Sequence, residues 1–158
     1  HFQPPDHPSL VTLIASSAIP GAAMASDAIR IQTQPDYYEP FKIAQAYRVG
    51  GLLITSGQAA IDKAGDIVGV GDFDAQAAQT FANLDEVLRA GGSDLSKVVK
   101  VTIYLRDMAN FPKILDLRAR HFQPPYPADT IVEVSSLALP ELEIEIEAIA
   151  LADGQVVG

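Results

Sequence analysis

Acidic side chains dominate the residues able to do chemistry. Glu143, Glu145 and Glu147 alternate with Leu142, Ile144 and Ile146, the spacing that puts three carboxylates on one side of a strand. Carboxylates act as general acids and bases or hold cations, yet the alternation alone describes nothing more than a polar strand face. Asp129 follows the turn Gln123 to Pro127, where Asp is common whatever the function. Ser56-Gly57-Gln58 closes an apolar run, and no base adjoins Ser56 in sequence to make its hydroxyl a nucleophile. His121 stands alone at a helix end, a setting in which imidazole is more often structural than catalytic. No His, Asp or Glu spacing fits a metal site, and we expect neither metal nor cofactor. Gly65, Gly69 and Gly71 lack the Gly-Lys-Ser/Thr of a phosphate loop.

Composition narrows the functional classes. The 158 residues fit one domain, and 48% hydrophobic content supplies a core. There is no cysteine, which excludes disulfides, thiolate metal sites and cysteine nucleophiles and fits a reducing compartment. The net charge is −9, with 11 Lys and Arg of which no two adjoin, so nucleic acid and anionic membrane are both poor partners. Leu10 to Ala15 imitates a signal peptide, but no Lys or Arg precedes Arg30 and Pro20-Gly21 interrupts the run. We therefore expect a cytoplasmic protein.

The elements that must position these residues are legible from periodicity. Ile43 to Val49 and Leu52 to Ala60 are β-rich runs split by Gly50-Gly51, a hairpin pattern. Asp74 is placed to cap a helix whose apolar face is Ala77, Phe81, Leu84 and Leu88, ended by Gly91-Gly92. Val98 to Leu105 alternates as a half-buried strand. Pro112 opens a second helix to about Phe122, with Ile114, Leu115 and Leu117 near its apolar side. Strands over Thr130 to Leu137 and Leu142 to Leu151 complete the order ββαβαββ, an α+β fold with one sheet covered by two helices on one face. The other face then needs a cover, and another subunit is the natural one.

An internal repeat marks the N-terminus. His1-Phe2-Gln3-Pro4-Pro5 recurs as His121-Phe122-Gln123-Pro124-Pro125, and an offset of 120 gives ten identities over 29 positions. Residues 1–32 are thus read as an extension, the remnant of an upstream copy of the domain, with Met24 as an alternative natural start. The domain proper spans 36–152, and 153–158 form a tail.

Across roughly 38–152 the chain resembles the Rid family, also called YjgF or UK114. The resemblance is carried by Ala44-Gln45-Ala46 with Val49-Gly50, Ile54-Thr55-Ser56-Gly57-Gln58, Asn83-Leu84 with Leu88, and Val98-Val99-Lys100-Val101-Thr102. Leu105, Asp107-Met108 and Phe111 add to it, as does the ending Ile144-Glu145-Ile146-Glu147-Ala148-Ile149-Ala150. It implies the chorismate-mutase-like Rid fold, a homotrimer whose mixed sheets form an inner barrel, and ligand clefts between subunits. It also implies a hydrolytic imine or enamine deaminase in which Glu145 positions water, with Ser56, Gly57, Gln58 and Thr130 beside the substrate.

The chain departs from the family's pattern at three places. The carboxylate-gripping arginine falls on Asp129, a cleft tyrosine on Ile43 and an asparagine on Leu115. An aspartate repels an α-carboxylate, so the expected substrate is a larger, partly apolar, non-anionic imine rather than a simple 2-imino acid. Asp129 and Glu145, if they meet in one cleft, would form an acid–base pair. The alternative is a catalytically inactive trimer binding a small ligand or a protein. The endoribonuclease label carried by the family sits poorly with the acidic composition.

Overall fold

The computed structural model describes residues 24–158. Residues 1–23, and with them most of the repeat and the expected extension, lie outside the described residues. Seven strands and two α-helices follow in the order β1 (Ala28–Ile31), β2 (Ala46–Val49), β3 (Leu52–Thr55), β4 (Gln58–Ala59), α1 (Phe73–Ala90), β5 (Val98–Leu105), α2 (Phe111–His121), β6 (Ala128–Glu133) and β7 (Ile144–Leu151). They build one mixed sheet ordered β1-β2-β3-β7-β5-β6, with β4 also paired to β7. Every pairing is antiparallel except β5 with β6, which α2 joins as a crossover.

The expected α+β fold is present, with two strands added. β1 pairs antiparallel with β2, so residues 28–31 form an edge strand of the sheet. Four residues long, with only Ile31 buried, this edge strand carries too little periodicity to be read beforehand. β4 is a two-residue piece cut from the expected run Leu52 to Ala60 by Ser56-Gly57. The cap of α1 is Asp72, whose side chain accepts from the Ala75 amide, rather than Asp74.

Helix period and strand alternation converge on one core. Ala77, Phe81, Leu84 and Leu88 of α1 and Ile114 of α2 pack on Leu53, Val101, Ile103, Ile146 and Ala148, each large apolar side chain contributing about 1.5–3 kcal/mol. Leu117 is buried too, whereas Leu115 is 70% exposed. At 100° per residue, a helix that buries Ile114 and Leu117 must turn Leu115 outward, so it does not join the apolar side. Buried amides tie the loops down. Asn83 donates to the carbonyls of Ala59 and Ile61, Gln76 to those of Gly69 and Glu141, and Gln45 clasps Thr33.

Among the described residues no helix covers the second sheet face. The register aligns Tyr47, Ile54, Ile149 and Lys100 in one row and Val49, Leu52 and Leu151 in another. Thr102 faces Glu147 and Tyr104 faces Glu145 further along. Tyr47, Val49, Leu52 and Ile54 are all substantially exposed within the single chain.

Candidate functional site

Glu145 owes its position to an irregularity in the sheet. Ile54 lies opposite Ile149 and Gln58 opposite Ile146, so residues 55–57 face only residues 147–148. One extra residue on one strand is a β-bulge, a device that re-aims side chains. Thr55 repairs the ladder by accepting the Ala148 amide through its hydroxyl at 3.0 Å. Ser56 closes the bulge, its amide on the Gln45 carbonyl at 2.8 Å and its hydroxyl on that of Ala44 at 2.5 Å.

Gly57 then passes directly beneath Glu145. A Cβ at position 57 would stand 2.6 Å from Glu145 Cδ and 2.8 Å from Oε2. Only glycine leaves room for the carboxyl group there. Glu145 is half-buried, and no described residue donates a hydrogen bond to its carboxylate. Burial, and then the charge of Glu147, hold its pKa above the ordinary glutamate value. Glu147 itself accepts from the Tyr104 hydroxyl. The result is a carboxylate poised to take up and return a proton.

A tyrosine that sequence reasoning passed over also reaches this place. The short 3-10 turn Glu39–Phe41 and the left-handed Lys42 (φ 61°) fold the chain back. Tyr38 thereby donates its phenol to the Gly57 carbonyl at 2.6 Å. Burial, Tyr37 and Glu145 all disfavour ionisation of this phenol. Ile43, at the place where the resemblance puts a tyrosine, is 48% exposed. Paired tyrosines just upstream of the first β-rich run were the available hint.

The second group of expected site residues lies elsewhere. Asp129 on β6 pairs in register with Val101 of the core face and receives Arg118 from α2. Arg118 Nε donates to Oδ2 and Nη2 to Oδ1, both at 2.9 Å. Glu145 projects from the opposite face, and β5 runs between its strand and β6. Within one chain, then, the expected Asp129–Glu145 acid–base pair is not formed. Asp129 does not offer a free carboxylate either, because a guanidinium already holds both oxygens. Thr130 sits on the open face and accepts from Lys100 at 2.6 Å. Gln58 is fully buried, its amide nitrogen on the Ser56 carbonyl at 3.3 Å, which makes it a brace of the bulge. His121 stacks on Phe81 with ring centroids 4.0 Å apart, as a core ring does. Arg118 was invisible as a site residue because its partner is eleven positions away, across a turn.

Among the described residues no cluster of three metal-ligating side chains occurs, and no helix is long and apolar enough to cross a membrane.

Known proteins share both sequence and architecture with this chain. The family profile described as Endoribonuclease L-PSP matches residues 33–152. A RutC family protein of Pyrococcus horikoshii is 44% identical over 108 residues, covering 68% of this chain and 84% of the relative. A protein of Dermatophagoides farinae named 2-iminobutanoate/2-iminopropanoate deaminase is 34% identical over 110 residues, 70% of this chain and 85% of its own. The crystal structure of the Rid family protein YyfA from Yersinia pestis, described as of unknown function, superimposes with a TM-score of 0.72. It is 34% identical and covers 79% of this chain and 99% of that one. By profile, sequence and fold together, the chain belongs to the Rid family, the family of the Endoribonuclease L-PSP profile.

Proposed function

We propose that the protein is a hydrolytic imine or enamine deaminase in which Glu145 holds and activates the attacking water. The observation that carries this reading is the carboxyl of Glu145, seated on Gly57, half-buried and without a donor among the described residues. The water's oxygen adds to the C=N carbon while its proton passes to Glu145. That proton returns to nitrogen to give a tetrahedral aminol; Glu145 then takes the hydroxyl proton and delivers it to the amino group, so that the C–N bond breaks to a carbonyl compound and ammonia. Relatives named as 2-imino acid deaminases support the reaction class.

The substrate we propose is not a simple 2-imino acid. Ile43 and Leu115, exposed and apolar where the resemblance calls for a tyrosine and an asparagine, suit a larger and partly apolar body. Ser56, Gly57, Gln58 and Thr130 belong to this site as its frame. The working form is a homotrimer in the cytoplasm, its apolar sheet faces turned inward as a barrel. Its clefts combine the Glu145 end of one copy with the Asp129 and Leu115 end of the next. The net charge of −9 argues against an RNA substrate.

The test is turnover of 2-imino acids and imines of graded size, generated in situ by an amino-acid or amine oxidase. The larger apolar imines should be hydrolysed faster than 2-iminopropanoate, and Glu145→Gln should lower the rate about 10²-fold or more. Equal rates for Glu145→Gln and the wild type, with every imine tried, would defeat the proposal.

A further inference from the structure

Two carboxylates share the open face of β7, and one phenol divides them. Glu145 and Glu147 stand two residues apart on that strand, which on an extended chain puts them side by side at about 6–7 Å. In the β5–β7 register Tyr104 lies directly opposite Glu145, and Thr102 opposite Glu147. The Tyr104 hydroxyl nevertheless donates to Glu147, its diagonal neighbour, a reach that aromatic side chains have across a strand pair. Glu147 therefore has a donor, whereas Glu145 has none among the described residues.

The surroundings leave the charge of Glu147 uncompensated. The ion pairs among the described residues include neither carboxylate. Lys100 lines the same open groove of about 230 Å³ as Glu147, with Thr102, Ile54 and Ile149, but gives its ammonium to Thr130 at 2.6 Å. The titratable groups facing Glu145 are Glu147 on its own strand, Tyr104 on β5 and Tyr38 beside Gly57. Both phenols stay protonated at neutral pH. The hydrogen bond to Glu147, and then burial, push Tyr104 up to about 12, and burial pushes Tyr38 up as well. Only Glu147 brings a charge to its neighbour. A carboxylate beside a second negative charge holds its proton more tightly, and carboxyl pairs set apart by their surroundings divide the roles of a site between them.

We propose that Glu147 and Tyr104 are positioning residues of the Glu145 site: the phenol pins the second carboxylate in place, and its charge strengthens Glu145 as a proton acceptor. Both act through Glu145 rather than on the substrate. This deepens the hydrolase reading and rests on it. Tyr104 could have satisfied the carboxylate directly across from it. By donating to the diagonal one instead, it leaves Glu145 open to water and holds a negative charge at its side.

The experiment is a pH titration by carbon-13 NMR of protein labelled at its glutamate carboxyl carbons, which needs no turnover. The Glu145 signal is the one that Glu145→Gln removes. Glu147→Gln keeps an oxygen that can accept from Tyr104, so the hydrogen bond remains and only the charge is lost. In that variant the Glu145 midpoint should fall by about 0.5–1 pH unit, and the rising limb of kcat/KM should fall with it. Tyr104→Phe keeps the charge but releases the carboxylate from its place, and should move the midpoint the same way by less. Glu147→Asp restores the charge and should bring the midpoint back toward the wild-type value. A Glu145 midpoint unchanged in Glu147→Gln, or moved equally in Glu147→Gln and Glu147→Asp, would overturn the proposal. The two readings fail separately. Turnover lost in Glu145→Gln with a midpoint indifferent to Glu147 leaves the hydrolase and removes the positioning role. A midpoint that follows Glu147 with turnover untouched by Glu145→Gln leaves the coupled carboxylates and removes the hydrolase.

Discussion

The bulge around Glu145 and the ion pair at Asp129 lie on opposite faces of one sheet and are held in place by different means. Backbone fixes the first: three residues face two, Gly57 passes under the carboxyl, and main-chain carbonyls receive Ser56 and Tyr38. Two side chains from separate elements fix the second, meeting edge to edge across a turn. A backbone-built site tolerates no change at the residue that makes room for it. That contrast explains why the Ser56-Gly57-Gln58 bulge rests on one local stretch of chain, while the partner of Asp129 is supplied by a separate element.

Gly57→Ala should break the comparison most sharply. Its methyl must displace the Glu145 carboxyl, so kcat should fall about 10²-fold in steady-state kinetics, with the Arg118–Asp129 pair on the other face untouched. Because a flexible side chain does the yielding, the melting temperature should drop by only a few degrees. Ile54→Glu tests whether the two half-sites act across copies. If the proposed trimer forms through the exposed row of Tyr47, Ile54 and Ile149, a charge there should give monomers in sedimentation equilibrium and abolish turnover. A variant that stays active as a monomer would show that the Glu145 end suffices alone.

Tyr38→Phe sharpens the backbone side of the contrast. Losing the 2.6 Å hydrogen bond to the Gly57 carbonyl should lower kcat about tenfold with little change in KM, at a stability cost of about 1 kcal/mol. The smallest effect concerns His121, which belongs to neither site. Burial and then Arg120 hold its imidazole below the ordinary value, so the unfolded chain takes up a proton more readily than the folded one. The associated stability is complete above about pH 6.5 and drains away as the pH falls through the window below it. Thermal melts from pH 7.5 to 5 should show this slope in the wild type and a shallower one in His121→Phe, which keeps the stack on Phe81.

Most of the architecture was legible because periodicity reports packing. Ala77, Phe81, Leu84 and Leu88 and the alternation through Val98–Leu105 all point at one core, and all do so in the fold. What escaped was short or relational. β1 has four residues and buries one of them, so it offers no period. Leu115 is apolar but faces outward, which composition cannot distinguish from a core position. Tyr38 reaches Gly57 across nineteen positions and Arg118 reaches Asp129 across eleven. Such contacts depend on the turn between them, not on any local pattern.

The water-activating role of Glu145 is tested most directly by the pH dependence of kcat/KM for a larger apolar imine. A base must be ionised to act, and burial together with Glu147 raises the pKa of this carboxyl. In the wild type the rate should therefore rise with pH through a midpoint above the ordinary glutamate range, and Glu145→Gln should lose both that limb and most of the rate. A Glu145→Gln profile that superimposes on the wild type would contradict the account.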